Sequence, residues 1–411
     1  MKTGRMRILY LAQFFEPEPM IKGASFVRAL IARGHEVQVV TGFPNYPVGK
    51  LYAGYRMSLG MTETIEGVEI HRVPLYPSHG SSSIGRVLNY FSYAFTAAFY
   101  GIFRAKHFDV IYAYPPPTVA LAAAAIGFFR RCPYAMDVQD LWPESVLKSG
   151  MKGTGRMGAM LAALCNFVYR RAGRIVAQSR GIAAKLVERG VPPEKIDVIF
   201  NWADEKAAAK SGKADLSRYG FEGRFNFVYG GNLGVFQGLD TLVRAAKIAG
   251  ETVPQLQLLL IGDGSEAQGL RDLVAELDAR NVRIEPGIPR SEIGDVFDAA
   301  DVLAIHLLKD PLFQITIPQK TQFYMAMGKP VLVGVEGEAA RFILESGAGL
   351  PVEPSNVDAM AAAMIQLAQM PPAELAEMGA KGRAAYAREF SFKAAIDATE
   401  NMLEATIGTR R

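Results

Sequence analysis

The chain has 411 residues, of which 50% are hydrophobic, 10% aromatic and 21% charged. This composition is too apolar for a disordered protein, and the length predicts two domains rather than one compact core. Two cysteines are too few for a disulfide framework or a zinc knuckle, so we expect a reducing compartment. The apolar run over residues 8–12 is shorter than a secretory signal, so we expect no leader. Fibrous, collagenous and secreted disulfide-rich proteins are therefore excluded.

The net charge of +4 is distributed unevenly along the chain. Residues 1–200 contain 24 Lys and Arg against 13 Asp and Glu, whereas residues 201–411 contain 21 against 28. Two stretches, 70–108 and 145–187, contain no acidic residue. This pattern indicates that the basic half faces an anionic surface or ligand, and the alternative is a solvated basic face. Nucleic acid is not expected, because no recognition motif and no alternation of aromatic and basic residues accompanies the charge.

Short β-rich apolar runs alternate with helical periodicity along most of the chain. This alternation is typical of parallel sheets that are covered by helices on both faces. The first residues predict a strand at 7–13, a helix at 22–33 that ends at Gly34, and a strand at 36–41. Further strands of the first half are predicted at residues 68–73, 110–113, 134–138, 175–178 and 197–200.

A segment rich in Asp, Lys, Ala and Ser, residues 201–223, marks a domain junction. The strands of a second alternation are predicted at residues 225–229, 256–261, 282–284, 302–306, 330–333 and 350–352. The last segment, 372–406, has a purely helical pattern, and one of its helices is expected to cross back to the first domain. The sequence therefore predicts two doubly wound α/β domains, over residues 1–200 and 201–385, and a C-terminal helix over 386–411.

Residues 87–103 form a long run without a charged residue. A membrane-spanning helix needs about 20 mainly apolar residues. Here polar side chains recur on one side of the predicted helix, at Asn89, Ser92, Thr96 and Tyr100. This periodicity argues against a span and leaves two interpretations, a buried core helix or a helix that lies at a membrane interface.

The loop after the first strand is the first candidate for ligand binding. In open α/β sheets, ligands bind beyond the carboxyl ends of the strands, where loops meet helix N-termini. This loop, residues 14–23, leads directly into a helix. Gly23 would let backbone N–H groups approach an anion at the start of the helix, and Lys22 would add positive charge. The simpler interpretation is a plain turn before the helix.

Residues 227–240 form a stronger candidate, with a strand, a glycine-rich turn and a helix in succession. Three glycines of the turn allow close backbone approach: Gly230, Gly231 and Gly234. A helix from about Gly238 would present unpaired N–H groups to a phosphate. The segment matches neither the P-loop nor the dinucleotide-binding fingerprint. A third candidate turn, which contains Gly262, follows another predicted strand.

Lys320 lies at the start of a helix that is predicted to open at residues 318–321 and to end at Gly328. A cation at a helix N-terminus opposes the helix dipole by about 0.3–1 kcal/mol. An anion bound between this lysine and the helix amides would remove the conflict. The alternative is a solvent-facing lysine.

Acidic residues cluster after the strand predicted at 134–138. We expect Asp137, Asp140 and Glu144 to hydrogen-bond sugar hydroxyls, and Trp142 either to stack on a sugar or to pack inside the domain. A metal site is not expected, because these acids lack the spacing of a calcium loop and no histidine lies near.

Eight stretches of the chain carry a resemblance to a known family. Their sequences are FFEPEP, RGHEVQVVTGFPNYP, RVPLYPSH, DVQDLWPES, CNFVYRRA, ERGVPPEKIDVIFNWAD, GGNLGVFQGLDTL and DPLFQITIPQKTQFYMAMGKPV. On the basis of these stretches, the chain resembles the retaining GT-B glycosyltransferases of family 4. The stretches are distributed over essentially the whole chain. The resemblance is closest to N-acetylfucosaminyl-type transferases of surface-polysaccharide assembly.

The resemblance implies two Rossmann-like domains that face a cleft and close around the substrates. A nucleotide-sugar would be bound mainly by the second domain, whereas the first domain would bind the acceptor and face the membrane. The resemblance also implies that no metal or other cofactor is required, because lysine or arginine side chains and helix dipoles neutralise the diphosphate.

Several positions depart from the pattern of the broader family. Family members usually have an Arg and a Lys after the glycine-rich strand, where this chain has Asn232 and Gln237. The usual Glu-x7-Glu pair is replaced by Ile315 and Phe323, and a usual histidine is replaced by Gln139. We therefore expect other groups to take over part of the diphosphate and ribose contacts.

The candidate site residues are assigned by role on the basis of this resemblance. The expected catalytic residues are Lys320, Asp140 and Gln139. The expected donor-binding residues are Lys22, Gly23, Gly231, Asn232, Gly234, Gln237, Gly262, Gln319, Thr321, Glu338 and Arg341. The expected acceptor-binding residues are Asp137, Trp142 and Glu144. Relatives usually have an acidic residue at the place of Arg341, so this arginine is expected to reach a phosphate.

The resemblance implies transfer of a UDP-linked N-acetyl sugar to a polyprenyl-diphosphate-linked saccharide, for example in O-antigen assembly. We expect the enzyme in the cytoplasm, peripherally attached to the inner face of the cell membrane, where its acid-free stretches meet anionic lipid. Two alternatives remain, a nucleotide-sugar epimerase of the same fold and a non-catalytic assembly scaffold. The epimerase would need paired carboxylates or a histidine in its cleft, and none of the five histidines lies in a catalytic motif.

Overall fold

The computed structural model of the protein consists of two compact units. It describes residues 4–78, 83–145, 155–209 and 211–409. The first unit is formed by Met1–Phe200 and Ile396–Arg411, and the second by Asn201–Ala395. His79, Lys210 and the part of the acid-free stretch at 146–154 lie outside the described residues.

The described part of the first unit is built on one eight-stranded sheet. Its strands are β1 (Arg7–Ala12), β2 (Glu36–Gly42), β3 (Met61–Ile65), β4 (Val68–Val73), β5 (Val110–Tyr114), β6 (Tyr134–Val138), β7 (Arg174–Ala177) and β8 (Ile196–Val198). Their order is β3-β4-β2-β1-β5-β6-β7-β8. Because the chain leaves β1 toward β2 on one side and later returns to β5 on the other, the strand order reverses between β1 and β5. This reversal is the topological switch point, where doubly wound sheets bind ligands.

Strand β3 is the one strand of this sheet that the sequence does not predict. It pairs antiparallel with β4, whereas the other neighbouring strands of the sheet are parallel. Its residues alternate between partly buried and exposed, and it lies at the edge of the sheet. The predicted strands are instead continuous apolar runs, such as β5 and β6, in which every residue is buried. A search for buried parallel strands therefore overlooks a short polar edge strand.

Helices cover this sheet, and one of them has an unusual orientation. The helices are α1 (Ala24–Ala32), α2 (Ser83–Phe103), α3 (Pro117–Arg130), α4 (Gly155–Arg171) and α5 (Arg180–Glu188). The polar side of α2 faces the unit: Asn89 is fully buried, and the Thr96 hydroxyl donates to the Pro74 carbonyl over 2.7 Å. Among the described residues, no helix is long and apolar enough to cross a membrane. Helix α2 is therefore not a span, and its apolar side is exposed.

The described part of the second unit is built on a six-stranded parallel sheet. Its strands are β9 (Phe225–Gly230), β10 (Leu256–Ile261), β11 (Val282–Glu285), β12 (Val302–His306), β13 (Val331–Gly334) and β14 (Gly349–Pro351). Their order is β11-β10-β9-β12-β13-β14. The switch point of this unit lies between β9 and β12, because β10 and β12 flank β9 on opposite sides.

Helices of the second unit follow the predicted alternation. They are α6 (Asp240–Thr252), α7 (Ala267–Glu276), α8 (Arg290–Asp298), α9 (Pro311–Gln314), α10 (Gln319–Met327), α11 (Glu338–Ser346), α12 (Val357–Gln369) and α13 (Pro372–Ala385). The core of the unit combines strand residues such as Leu258 and Leu260 with helix residues such as Leu242 and Met364, all fully buried.

The C-terminal segment is helical, as predicted, but it is interrupted. A π-helical turn, Tyr386–Phe390, follows α13, and a last helix, α14 (Phe392–Gly408), begins after Ser391. The Ser391 hydroxyl accepts a hydrogen bond from the Ala394 amide, which caps the new helix. Residues from Ile396 onward belong to the first unit, so the last helix returns the chain to that unit.

Within the first unit, Glu400 of α14 binds two basic side chains near the start of the sheet. Its carboxylate forms an ion pair with Arg33 and lies 2.7 Å from Nε2 of the buried His35. The other ring nitrogen of His35 is 3.2 Å from the Met6 amide, which donates to it. Glu400 thereby connects α14 to β1 and to the end of α1.

Replacing Glu400 with Ala should lower the thermal stability of the first unit. The substitution leaves His35 without its carboxylate partner in a buried position, which costs about 1–3 kcal/mol. Differential scanning calorimetry of the full chain measures this loss. The control is Glu404→Ala, which removes only an exposed contact with the Gly4 amide. Equal melting temperatures for the two variants would contradict this role of Glu400.

Candidate functional site

The glycine-rich loop after β9 begins at the switch point of the second unit. A 3-10 turn, Val235–Gln237, precedes α6, which begins at Asp240 rather than at the predicted Gly238. The Gly234 amide donates to Oε1 of Gln237 over 3.1 Å, and Nδ2 of Asn232 donates to the same oxygen over 3.1 Å. The two residues that replace the usual Arg and Lys of the family therefore bind each other and the Gly234 amide.

Lys320 is the second residue of α10, which follows β12 and the short helix α9. Its Nζ donates to the hydroxyl of Tyr229 over 2.6 Å and lies 4.2 Å from the centre of the same ring. The Tyr229 hydroxyl in turn donates to the Asn232 carbonyl over 2.7 Å. Desolvation lowers the pKa of Lys320 to about 8. Among the described residues, no carboxylate forms an ion pair with Lys320, so its charge has no anionic partner of its own.

Two glycines allow close packing next to Lys320, Gly231 against the lysine itself and Gly262 against the backbone of Gly231. Gly231 has φ +134°, and a Cβ added there would lie 2.6 Å from Cε of Lys320. Gly262 has φ +153°, and a Cβ there would lie 1.8 Å from the Gly231 carbonyl oxygen. Any side chain at these positions would displace the loop or the lysine. The structure therefore brings together three residues predicted for the donor site, Gly231, Gly262 and Lys320.

Loops after β12 and β13 join this edge of the sheet. His306, at the end of β12, lies 2.7 Å by its Nδ1 from the Gln237 carbonyl, which connects it to the glycine-rich loop. Gln314 donates to Glu336, and a Cβ on Gly337 would touch the Gln314 carbonyl, so the next two loops pack together. Burial lowers the pKa of His306. His306 is thus a structural residue of this loop cluster.

The remaining donor-site predictions lie at the starts of α10 and α11. Gln319 and Arg341 are exposed, whereas Glu338, the first residue of α11, is buried. Thr321 is buried, and its hydroxyl has no hydrogen-bond partner among the described atoms. Phe323, at the place of the second glutamate of the family pair, packs edge-on against Phe297, with 5.8 Å between ring centres.

In the first unit, the predicted anion site at the start of α1 is already filled by a side chain of the same loop. The Ala24 amide donates to Oε1 of Glu16 over 2.9 Å, and a Cβ on Gly23 would lie 2.0 Å from that oxygen. Burial raises the pKa of Glu16, while the bond from Ala24 lowers it. Gly23 thus makes room for an internal carboxylate rather than for an external phosphate.

Lys22 points into the first unit instead of toward a ligand. It is fully buried and forms an ion pair with Asp137, and its Nζ also lies 3.1 Å from the Tyr112 hydroxyl. Asp137 further accepts from Tyr112 over 2.6 Å and from Nε2 of Gln139 over 2.7 Å. Because these contacts occupy both charges, the geometry assigns Lys22 and Asp137 to a buried ion pair and not to open ligand positions.

The other acceptor-site predictions are spread over the loop after β6. Trp142 is buried and packs edge-on against Tyr90, with 5.5 Å between ring centres, so it packs inside the unit. Glu144 forms an ion pair with Arg189, which also donates to the Trp142 carbonyl over 2.6 Å. Asp140 is exposed. Glu144 is exposed as well, and partial desolvation raises the pKa of Asp140.

Glu18 is a buried acid whose role the sequence analysis missed. Its carboxylate accepts from the Phe15 amide over 3.1 Å and from the amides of Asn45 and Tyr46 over 2.7 Å each. Burial raises the pKa of Glu18 to about 7, although the three backbone bonds oppose this shift. The residue connects the loops after β1 and β2. Its position inside the FFEPEP motif was the available signal.

A chain of buried amides continues from these loops to α2. Nε2 of Gln13 donates to the Asn89 side chain over 2.6 Å, and Asn89 donates to the Asn45 side chain over 3.0 Å. Oε1 of Gln13 is buried and has no hydrogen-bond partner among the described atoms. Polar groups therefore collect at the carboxyl ends of β1 and β2. In the described ranges, no three His, Cys, Asp or Glu residues are grouped as they would be around a metal ion.

Two family models match the chain, one in each unit. The model of the glycosyl transferase 4-like domain matches residues 24–202, and the model of glycosyl transferases group 1 matches residues 224–370. The second match contains the glycine-rich loop, Lys320 and the start of α11. The first match contains the loops after β2, β5 and β6.

Individual proteins support the same assignment. The probable glycosyltransferase WbjE of Pseudomonas aeruginosa is 26% identical over 299 residues, which are 70% of this chain and 72% of that protein. The putative colanic acid biosynthesis glycosyl transferase WcaI of Escherichia coli K12 is 25% identical over 396 residues, 89% of this chain and 93% of that protein. The crystal structure of Anabaena HepE in complex with UDP and glucose has a TM-score of 0.63 and 17% identity, covering 97% of this chain and 100% of that chain.

The sheet orders, the returning C-terminal helix and these structural neighbours define a GT-B fold, as predicted. The chain itself is a glycosyltransferase that combines a glycosyl transferase 4-like domain with a group 1 domain. The predicted likeness to family 4 is confirmed at this level.

Replacing Asp137 with Asn should destabilise the first unit strongly. The substitution leaves the Lys22 ammonium buried without its counter-charge, a change that typically costs about 3–5 kcal/mol. Urea unfolding followed by circular dichroism measures the loss. The matched control in the same loop is Glu144→Gln, whose half-exposed ion pair should contribute less than about 1 kcal/mol.

The double variant Lys22→Met with Asp137→Leu tests the physical reason. Because it removes both charges together, it should recover most of the stability that Asp137→Asn loses. If Asp137→Asn unfolds at the same urea concentration as the parent, the pair is not the buried constraint described above.

Proposed function

We propose that the protein is a retaining glycosyltransferase of surface-polysaccharide assembly. It transfers a sugar from a nucleotide-diphospho-sugar, a UDP-linked N-acetyl sugar, to a polyprenyl-diphosphate-linked saccharide. The observation that carries the proposal is the Lys320 ammonium, which lies on Tyr229 beside Gly231 at the switch point of the second unit. This cluster combines a cation, an α-helix N-terminus and open backbone at the place where doubly wound sheets bind ligands.

The chemical need of the reaction fits this cluster. Cleavage of the glycosyl bond builds negative charge on the leaving diphosphate, and pre-placed cations and helix dipoles stabilise that charge. The Lys320 ammonium and the amides at the start of α10 both contribute positive charge at this end of the helix. An entering diphosphate supplies the anionic partner that the lysine lacks within the second unit. Because lysine and helix dipoles supply the positive charge, we propose that the reaction needs no metal ion.

The choice of donor and pathway rests on the relatives. HepE was crystallised with UDP and glucose, and WcaI is named for colanic acid biosynthesis. The UDP bound to HepE supports a UDP-linked donor for this chain, and the name of WcaI supports a role in polysaccharide assembly. The resemblance to N-acetylfucosaminyl-type transferases supports an N-acetyl sugar. A lipid-linked acceptor implies that the protein works peripherally at the inner face of the cell membrane.

Retention of stereochemistry is proposed without an enzyme nucleophile. The acceptor hydroxyl attacks from the face that the diphosphate leaves, and the leaving phosphate helps to remove the hydroxyl proton. Phe323 and Ile315 at the places of the family's glutamate pair mean that a carboxylate from those positions does not contact the donor. Donor contacts are instead assigned to Lys320, Gln319, Thr321, Glu338 and Arg341.

Titration calorimetry tests the donor half of the proposal. We expect UDP to bind the full chain more tightly than GDP or TDP, because the relative solved with a nucleotide contains UDP. Labelled UDP-sugar incubated with a polyprenyl-diphosphate-linked saccharide should yield product with the donor's anomeric configuration, as read by NMR. An epimerase would interconvert donor sugars without acceptor, and a scaffold would leave the donor intact. Either result, or failure to bind any nucleoside diphosphate, would sink the proposal.

Replacing Lys320 with Ala should lower turnover by a factor of about 10² or more, because the ammonium that stabilises negative charge on the leaving diphosphate is lost. The matched control is Lys309→Ala, since Lys309 also follows β12 but is exposed and paired with Glu336. This control should stay within about threefold of the parent. Steady-state kinetics with saturating donor measures both variants.

The pH dependence gives a second test of Lys320. Its pKa is lowered to about 8, so in the free enzyme the ammonium loses its proton as pH rises through that value. Donor kcat/KM should therefore fall above about pH 8, while it is maintained at lower pH as far as this group is concerned. Lys320→Arg retains its charge and should lack this alkaline decline. A decline of equal midpoint in Lys320→Arg would assign the titration to another group.

A further inference from the structure

Helix α2 carries a row of exposed aromatic side chains along one side. Phe91, Phe95, Phe99 and Phe103 recur every four residues, and two neighbouring rings, Phe128 and Phe129, end α3. Together these six residues form what we call the aromatic ridge. Phe95 is 74% exposed, Phe103 67% and Phe128 70%. Side chains four residues apart lie on one face of a helix, so the ridge is continuous along α2.

The opposite side of α2 is polar and fixed to the unit. Asn89 is fully buried, and its side chain donates to the Tyr76 carbonyl over 2.8 Å. The Tyr93 hydroxyl donates to the Val40 carbonyl over 2.9 Å. Because these inward groups are satisfied within the unit, rotating α2 to bury the ridge would break them. The exposure of the ridge is therefore imposed by the fold.

Arg130 holds the two parts of the ridge together. Its Nη1 donates to the carbonyls of Gly101 and Ile102, at the end of α2, over 3.2 and 3.0 Å. Arg130 belongs to α3 and directly follows Phe128 and Phe129. The ends of both helices are thus connected next to the exposed rings.

The charged residues that adjoin the ridge at the ends of α2 and α3 are basic. Arg104 follows Phe103, Lys106 comes two residues later and Arg131 ends α3, and all three are exposed. Between residues 70 and 136 the sequence contains a single acid, Asp109. Asp109 accepts from Arg7 over 2.8 Å, which neutralises it. Exposed aromatic rings with basic residues beside them are the composition of helices that lie in the interface of an anionic bilayer.

We propose that the aromatic ridge inserts into the headgroup and acyl boundary of an anionic lipid bilayer, with Arg104, Lys106 and Arg131 on the lipid phosphates. This inference rests on the proposed function in one respect, since a lipid-linked acceptor is delivered at such a surface. A second copy of the chain fits less well as the occupant. In a two-fold dimer the same patch meets itself, so these bases would oppose like charges.

Vesicle sedimentation of the full chain tests the inference. The parent should bind vesicles of phosphatidylcholine mixed with phosphatidylglycerol, and it should bind vesicles of phosphatidylcholine alone much less. The variant Phe95→Ser with Phe99→Ser should reduce the bound-to-free ratio by about tenfold or more, because the rings supply the insertion. The control Leu59→Ser removes an apolar side chain that is 97% exposed on a loop outside the ridge, and it should bind as the parent does. Equal binding to both vesicle types, or equal binding of the ridge variant and the control, would overturn the inference.

A second measurement reports insertion directly. In the variant Phe95→Trp, brominated phosphatidylglycerol should quench the added tryptophan, whereas the parent should show little quenching. An unquenched tryptophan would contradict insertion even if the protein sediments with vesicles. Sedimentation velocity without lipid measures whether the protein forms a dimer, which could cover the ridge. A dimer that does not bind vesicles would also overturn the inference.

Transfer to a water-soluble acceptor without vesicles separates this inference from the proposed function. The ridge variants should keep that transfer, because their side chains lie outside the donor and acceptor positions. Transfer without vesicle binding by the parent would reject the ridge and leave the proposed function standing. Vesicle binding by the parent without transfer would reject the proposed function and leave the inference about the ridge standing.

Discussion

The central physical constraint in the second unit is the positive charge of Lys320, which pairs with no carboxylate among the residues that the structure describes. Lys320 stands at a helix N-terminus, where the helix dipole already opposes a cation. Its ammonium lies over the ring of Tyr229, and Gly231 leaves the space that the end of the lysine side chain occupies. Desolvation lowers its pKa to about 8, which measures how poorly the charge is compensated. Under the proposed function, a bound diphosphate would supply the negative charge that this lysine and the amides at the start of α10 lack.

In the first unit, the corresponding lysine and helix start are compensated by carboxylates of the same unit. Lys22 also precedes a helix at a switch point, but Asp137 neutralises it inside the sheet. The Glu16 carboxylate occupies the amide at the start of α1, where a phosphate would otherwise bind. The start of α1 in the first unit therefore already carries a carboxylate of its own loop.

Sequence patterns predicted the positions of most strands along the chain, because buried parallel strands are continuous apolar runs. They missed β3, whose polar edge pattern carries no such signal. They placed Lys320 at the start of a helix, as the structure does, because the pattern that opens this helix is local. They misjudged Lys22, because its burial depends on Asp137, which lies 115 residues away in the sequence. Local electrostatics can thus be read from sequence, whereas compensation by a distant residue requires the fold.

Helix α2 illustrates the same limit in its orientation. Its periodicity separates a polar side from an apolar side, but the pattern does not state which side faces the sheet. In a unit surrounded by water, the apolar side would be expected inside. Here Asn89 and Thr96 are bonded within the unit, and the phenylalanines are left outside. Burial of the polar side costs little free energy, because each of these polar groups has a hydrogen-bond partner within the unit. The exposed phenylalanine rings, in contrast, form an apolar patch in contact with water. This orientation leaves the apolar side of α2 at the surface of the unit, next to the exposed basic residues Arg104 and Lys106.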